Sequence, residues 1–166
     1  NGQKVQISGI SGITLYEPEE LVMTAAAGTP IRHIKKRLDE NGQQLAFEPP
    51  DIARLYGTLL GRGTLGGVLA CNLAGPRRIQ AGAARDHFLG FEAVSGRGEI
   101  FKSGGRVVKN VTGFDLSKLL AGSFGTLAIM TSITIKVLPK PEKTRSILVF
   151  GLNDQDAVVA MTTALH

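Results

Sequence analysis

Glycine is the residue that most constrains this chain. Fifteen of its 21 glycines fall between positions 57 and 125, in a chain of 166 residues where a usual share is about 7%. Glycine tolerates left-handed backbone and lets other groups come close, so this stretch needs sharp bends or close approaches. No G-X-Y period runs through it, which excludes collagen. An apolar content of 43% excludes a low-complexity linker.

Other classes fall away quickly. No apolar run reaches the ~18 residues a membrane-spanning helix needs, and residues 1–9 lack the apolar core of a signal peptide. A single Cys excludes an internal disulfide framework and is compatible with a reducing compartment. The net charge of +5 invites a nucleic-acid reading, but the cations are dispersed and only two Tyr are present. A small polyanion or an acidic partner suits that charge equally well.

Local patterns supply the elements. Residues 21–27 form a short apolar run that reads as a buried strand. Thr29-Pro30 then predicts an N-cap followed by Pro at the first helical position, with Ile31, Ile34 and Leu38 as the buried stripe and Asn41-Gly42 as the stop. Lys35, Lys36 and Arg37 read as that helix's solvated face. Glu48-Pro49-Pro50 predicts a rigid extended connector, and residues 61–67 a turn-rich loop leading to a short helix over 68–73. Residues 88–94 and 99–102 flank Ser95-Gly96-Arg97-Gly98 as a hairpin. Asp115 is placed to cap a helix through Leu120. From 127 to 137 the odd positions are mostly large and apolar, predicting a strand with its odd face in the core. Pro139 to Arg145 reads as a linker, followed by a strand over 146–152 and a helix from Asp154.

Gly61-Arg62-Gly63-Thr64-Leu65-Gly66 satisfies G-x-G-x-x-G. A dinucleotide-binding βαβ unit would need a clean strand before it and a parallel strand after it. Residues 52–60 lack the first, and a hairpin replaces the second. What survives is physical: Thr64-Leu65-Gly66-Gly67 before a helix presents backbone N–H groups, a hydroxyl and two positions without Cβ, a cradle suited to pyrophosphate. A tight turn without a ligand is the competing reading. No Lys-Ser/Thr follows, which argues against a P-loop NTPase.

An ordered set of motifs then carries a resemblance. Ala27-Gly28-Thr29, Phe47-Glu48-Pro49-Pro50, Gly63-Thr64-Leu65-Gly66-Gly67, Gly82 with Arg85-Asp86, the segment 105–115 (GRVVKNVTGFD) and the segment 122–130 (GSFGTLAIM) resemble the FAD-binding PCMH-type, or vanillyl-alcohol-oxidase-like, domain. With Ala74-Gly75-Pro76-Arg77-Arg78, the set is most similar to the FAD-binding subunits of glycolate oxidases. The resemblance runs from about Leu21 to Pro141.

It implies an α+β class: a fold of two α+β subdomains holding an extended, non-covalent FAD. Gly63, Thr64, Leu65, Gly66 and Gly67 would wrap the pyrophosphate, and Pro49 and Pro50 would line the channel. Cys71 and Asn72 would lie near the flavin-side wall, Gly82, Arg85 and Asp86 close to the cofactor, and Gly125 and Ile129 would bring main-chain groups to the ring systems. Residues 1–141 would be the FAD domain, with its first phosphate loop upstream of Asn1, and 142–166 the beginning of a substrate or cap domain. The implied activity is oxidation of a small 2-hydroxy acid, glycolate to glyoxylate, with electrons passed to a sister FAD subunit and an iron–sulfur subunit. The implied location is cytoplasmic, peripheral to the inner membrane through partners. A non-catalytic assembly subunit of the same fold is the alternative, and no residue stands out as a substrate base.

Several residues carry two readings. Cys71 is a flavin-side thiol or a small residue in an apolar run. Lys109 would stabilise an anionic reduced ring, or form a surface ion pair. Arg77 and Arg78 suit a phosphate, an acidic partner or simple solubility. His87 is a candidate for approach to the flavin, whereas His33 reads as solvated. Three scattered His and one Cys make no metal-ligand set.

Overall fold

The computed structural model describes residues 5–7, 9–105 and 113–165. Lys109 and most of its motif lie outside the described residues. The main sheet has five strands, all paired antiparallel: β1 (Ile13–Glu17), β2 (Val22–Ala26), β4 (Phe88–Ser95), β5 (Ile100–Gly104) and β6 (Ala128–Lys136), in the order β1-β2-β6-β4-β5. A two-stranded ribbon joins β3 (Gln43–Gln44) to β7 (Leu138–Pro139). This antiparallel α+β architecture agrees with the expected class and removes the parallel-sheet alternative.

Helices α1 (Ile31–Asp39), α2 (Leu65–Ala70), α3 (Arg78–Ala81) and α4 (Leu116–Leu120) accompany the sheet. α1 buries Ile34 and Leu38, as its periodicity predicts. Its cap differs from expectation. Pro30 is the N-cap, because the Thr29 hydroxyl is committed elsewhere: it donates to Gly12 O at 3.1 Å and accepts from Gly12 N at 2.9 Å. α2 begins three residues earlier than the sequence pattern suggests, so Gly66 and Gly67 belong to its first turn. Asp115 caps α4 as expected, accepting from Lys118 N at 3.1 Å.

The core joins Met23, Ala25, Ile34, Leu38, Phe47, Leu65, Leu69, Phe88, Ile133 and Ile135, all at most 2% exposed. The hairpin forms as predicted, with Gly98 in a left-handed turn.

Two strand expectations need correction. The β6 alternation does not persist: Ile133 and Ile135 are buried, but so are Ala128 and Met130, while Ile129 faces outward. The cause is a bulge. Glu92 pairs with Ser132 whereas Ala93 pairs with Met130, so Thr131 is the extra residue and the side-chain phase inverts across it. The second correction is residues 146–152, which join no ladder among the described residues. Helix α5 (Asp154–Leu165) follows as expected.

Candidate functional site

The site is organised by the start of α2. Thr64 is extended (φ −107°, ψ 159°) and caps the helix, its Oγ1 accepting from Gly67 N at 3.2 Å. The next two N–H groups are also spent: Leu65 N donates to Thr29 O at 2.9 Å and Gly66 N to Ala27 O at 2.8 Å. The expected row of unpaired donors over 64–67 is therefore corrected at Leu65, Gly66 and Gly67. The amides of Gly63 and Thr64 have no partner among the described residues.

The glycines separate by role. A Cβ on Gly66 would stand 2.9 Å from Ala27 Cβ and 3.0 Å from Ala27 O, so this glycine lets α2 pack directly on the end of β2. A Cβ on Gly63 would meet open space. Leu65 is fully buried and serves the core.

Two cavities flank α2. The first, of about 330 Å³, is lined by Pro49, Pro50, Gly63, Thr64, Gly67 and Cys71, together with Tyr56, Arg32, Lys35, Arg62 and the loop from Asp51 to Thr58. The second, of about 220 Å³, is lined by Gly66, Gly67, Gly125 and Ile129, with Ala70, Ala128, Met130, Val5 and Ile7. Gly67 lines both. Nine of the sequence-derived site residues thus meet along one path, four of them glycines.

Backbone bonds from α2 position the second cavity's rim. Gly122 N donates to Leu69 O at 3.0 Å and Phe124 N to Ala70 O at 2.8 Å, satisfying carbonyls at the helix's C-terminal end. This seats the 122–125 turn, where Phe124 and Gly125 both have positive φ, beside Gly66 and Gly67. The Thr131 bulge supplies the opposite rim by turning Ile129 outward.

Asn72, Gly82, Arg85 and Asp86 line neither cavity. They form a connected backbone support. Asn72, in the left-handed region at φ 49°, accepts from Arg85 N at 2.9 Å. Asp86 accepts from Ala83 N at 2.8 Å, and Gly82 has φ 83° with Asp86 packed against it. Lys118 donates to Arg85 O. His87 is 4% exposed, its Nε2–H donates to Ala81 O at 2.8 Å, and its ring tilts against Phe47. That contact makes it a core residue instead of a group facing either cavity.

Arg77 pairs with Glu48 at 2.6 Å, which accounts for it without a phosphate. The hydrogen bond from Arg77 holds the Glu48 carboxyl below its usual range, against the opposing effect of burial. Glu48 has φ 47° and leads directly into Pro49-Pro50, and Gly75 fits beneath it where a Cβ would come 2.8 Å from Glu48 O. The sequence reading missed Lys35, taken as part of a solvated face, and Arg32, counted only among the dispersed cations. Their i, i+3 spacing places both on one side of α1, and that side borders the first cavity.

The comparisons with known proteins agree with this geometry. The family model described as "FAD binding domain" matches residues 1–104. Glycolate oxidase subunit GlcE of Escherichia coli (strain K12) is 44% identical over 146 residues, covering 88% of this chain and 40% of that protein. Glycolate oxidase subunit GlcD of Bacillus subtilis (strain 168) is 33% identical, over 80% of this chain and 26% of that protein. D-lactate dehydrogenase of Anaerostipes hadrus is 29% identical, over 96% of this chain and 32% of that protein. A solved alkyldihydroxyacetonephosphate synthase superposes with a TM-score of 0.62 at 23% identity, covering 81% of this chain and 22% of that one. The chain belongs to the FAD-binding PCMH-type domain family, and its cofactor is FAD. It spans less than half the length of these relatives. No described helix is long and apolar enough to cross a membrane, and no described His, Cys, Asp or Glu cluster could hold a metal ion.

Proposed function

We propose that this chain is the cofactor-holding part of an FAD-dependent oxidoreductase acting on a small 2-hydroxy acid, glycolate by analogy with the GlcE and GlcD relatives. The observation that carries the reading is Gly67, which lines two cavities in series on the helix start that the family's sequence pattern singles out. Their volumes suit parts of a long ligand, and neither Gly63 nor Gly67 carries a Cβ that would narrow the passage. When bound, the flavin supplies the hydride-accepting chemistry.

The chain's own residues bind and orient. Pro49 and Pro50 wall the first cavity rigidly, fixed from behind by the Glu48–Arg77 pair. The unpaired amides of Gly63 and Thr64 suit a phosphate or ring oxygen. Thr64, Gly66 and Gly67 form the saddle between cavities, Cys71 borders the first, and Gly125 and Ile129 border the second. Leu65, Asn72, Gly82, Arg85 and Asp86 act on the site through the backbone of α2 and its neighbours. Lys109 belongs to the same proposal through its motif. Residues 1–141 would be the cofactor domain and 142–166 the start of a substrate domain.

The subunit names of the relatives support a multi-subunit complex; in the same proposal, electrons pass within it to a second FAD subunit and an iron–sulfur subunit, and the complex lies peripheral to a membrane in the cytoplasm. The test is purification of the full-length protein. A flavin absorbance spectrum, release of FAD on denaturation, and bleaching by glycolate under anaerobic conditions are expected. A colourless protein that cannot be reconstituted with FAD would overturn the reading and favour an assembly subunit.

A further inference from the structure

Three cations that make no close ion pair among the described residues line the first cavity, although Lys35 lies near enough to act on the Glu48 carboxylate. Arg32 and Lys35 project from α1, off its buried Ile34–Leu38 stripe, and Arg62 comes from the loop before α2. Among the described residues, Arg37, Arg77, Lys102 and Lys140 each pair with a carboxylate at 2.6–2.7 Å, while Arg32, Lys35 and Arg62 pair with none. Asp51 also borders this cavity, but its carboxylate accepts from its own loop, from Gly61 N at 2.6 Å and Ala53 N at 3.0 Å.

The convergence is built into the backbone. Ile31 N donates to Gly63 O at 2.9 Å, and an isolated bridge between Pro30 and Thr64 joins the start of α1 to the start of α2. Gly61, at φ 76°, leaves room for Arg32 to lie across it: a Cβ there would stand 3.3 Å from Arg32 Cδ and 3.6 Å from Nη1. Gathering three like charges around an apolar cavity raises its positive potential, and an anion relieves the repulsion.

We infer that Arg32, Lys35 and Arg62 form an oxyanion subsite in this cavity, with Pro49, Pro50 and Tyr56 walling the apolar part of the same ligand. Two guanidinium groups and an ammonium recognise a diphosphate or a carboxylate by charge-assisted hydrogen bonds. The inference rests on the first cavity being part of the cofactor and substrate path. Two molecules of that path carry the required oxyanion: FAD, through its diphosphate, and the hydroxy acid, through its carboxylate.

The experiment uses the full-length protein and its R32Q/R62Q and K35Q variants, with circular dichroism confirming the fold. FAD and riboflavin are titrated by fluorescence, and oxalate is titrated onto the FAD-loaded protein by its perturbation of the flavin spectrum. A loss of about tenfold or more in FAD affinity with riboflavin affinity unchanged assigns the subsite to the diphosphate. The same loss for oxalate with FAD affinity unchanged assigns it to the acid's carboxylate. Affinities for all three within about twofold of the parent overturn the inference, as does an equal fall for FAD and riboflavin. A parent protein that binds no FAD defeats the proposed function itself, a separate outcome.

Discussion

Two glycines that look alike in the sequence do different work. Gly66→Ala forces a methyl to within 3.0 Å of Ala27, and overpacking of this kind costs about 1–3 kcal/mol. Gly63→Ala meets open space and should leave stability within about 0.5 kcal/mol while weakening FAD binding. Denaturant midpoints and FAD titration on the full-length protein separate the two; equal midpoints would refute the assignment. Glu48 gives a pH signature. Its folded-state carboxyl titrates below the unfolded one, so its stabilising contribution is complete above the unfolded value and is lost as pH falls through the folded value. Glu48→Gln should therefore lower the denaturant midpoint at neutral pH and have no effect once the pH is below both values. A deficit of the same size at both pH values would show that shape, not charge, is what the substitution disturbs.

Elements defined by a strong local period were legible in the sequence. The α1 stripe, the Ser95–Gly98 turn and the Asp115 cap each depend on residues within one turn of each other. The bulge at Thr131 was not, because it exists only where β6 meets β4: Thr131 Oγ1 donates to Glu92 O at 3.1 Å, and Thr131 O accepts from Ala27 N at 2.9 Å. Neither partner is near in sequence, yet this contact decides that Ile129 faces the second cavity. The Thr29 hydroxyl is a similar case, read as a helix cap and found tying α1 to Gly12. Thr29→Val keeps the shape and removes both bonds, leaving the Gly12 N–H unmet while Gly12 O keeps its bond from Ala26 N at 2.9 Å. The expected cost is about 1–3 kcal/mol, with hydrogen exchange of the Gly12 amide accelerated. Unchanged exchange at Gly12 would show that the Thr29 bonds are dispensable.

Across the whole molecule, every buried apolar residue among those described lies before Pro141. Before it, β2, β6 and β4 enclose the core and the two cavities open beside α2. After it, residues 142–164 are all exposed except half-buried Ala157, although residues 147–150 read Ile-Leu-Val-Phe. Ile147 and Phe150 are 89% and 85% exposed. The strand expected over this run was a sound reading of its composition, but a strand needs a ladder partner, and among the described residues none lies alongside. An unpaired, β-prone apolar segment is also a template for self-association. Replacing Ile147 and Phe150 with Lys should therefore suppress association of the 166-residue chain in sedimentation velocity. The same double substitution should leave the melting temperature unchanged, since neither side chain packs on the body that contains the cavities. A lower melting temperature would mean that this segment contributes to the fold, and the boundary at Pro141 would have to move toward the C-terminus.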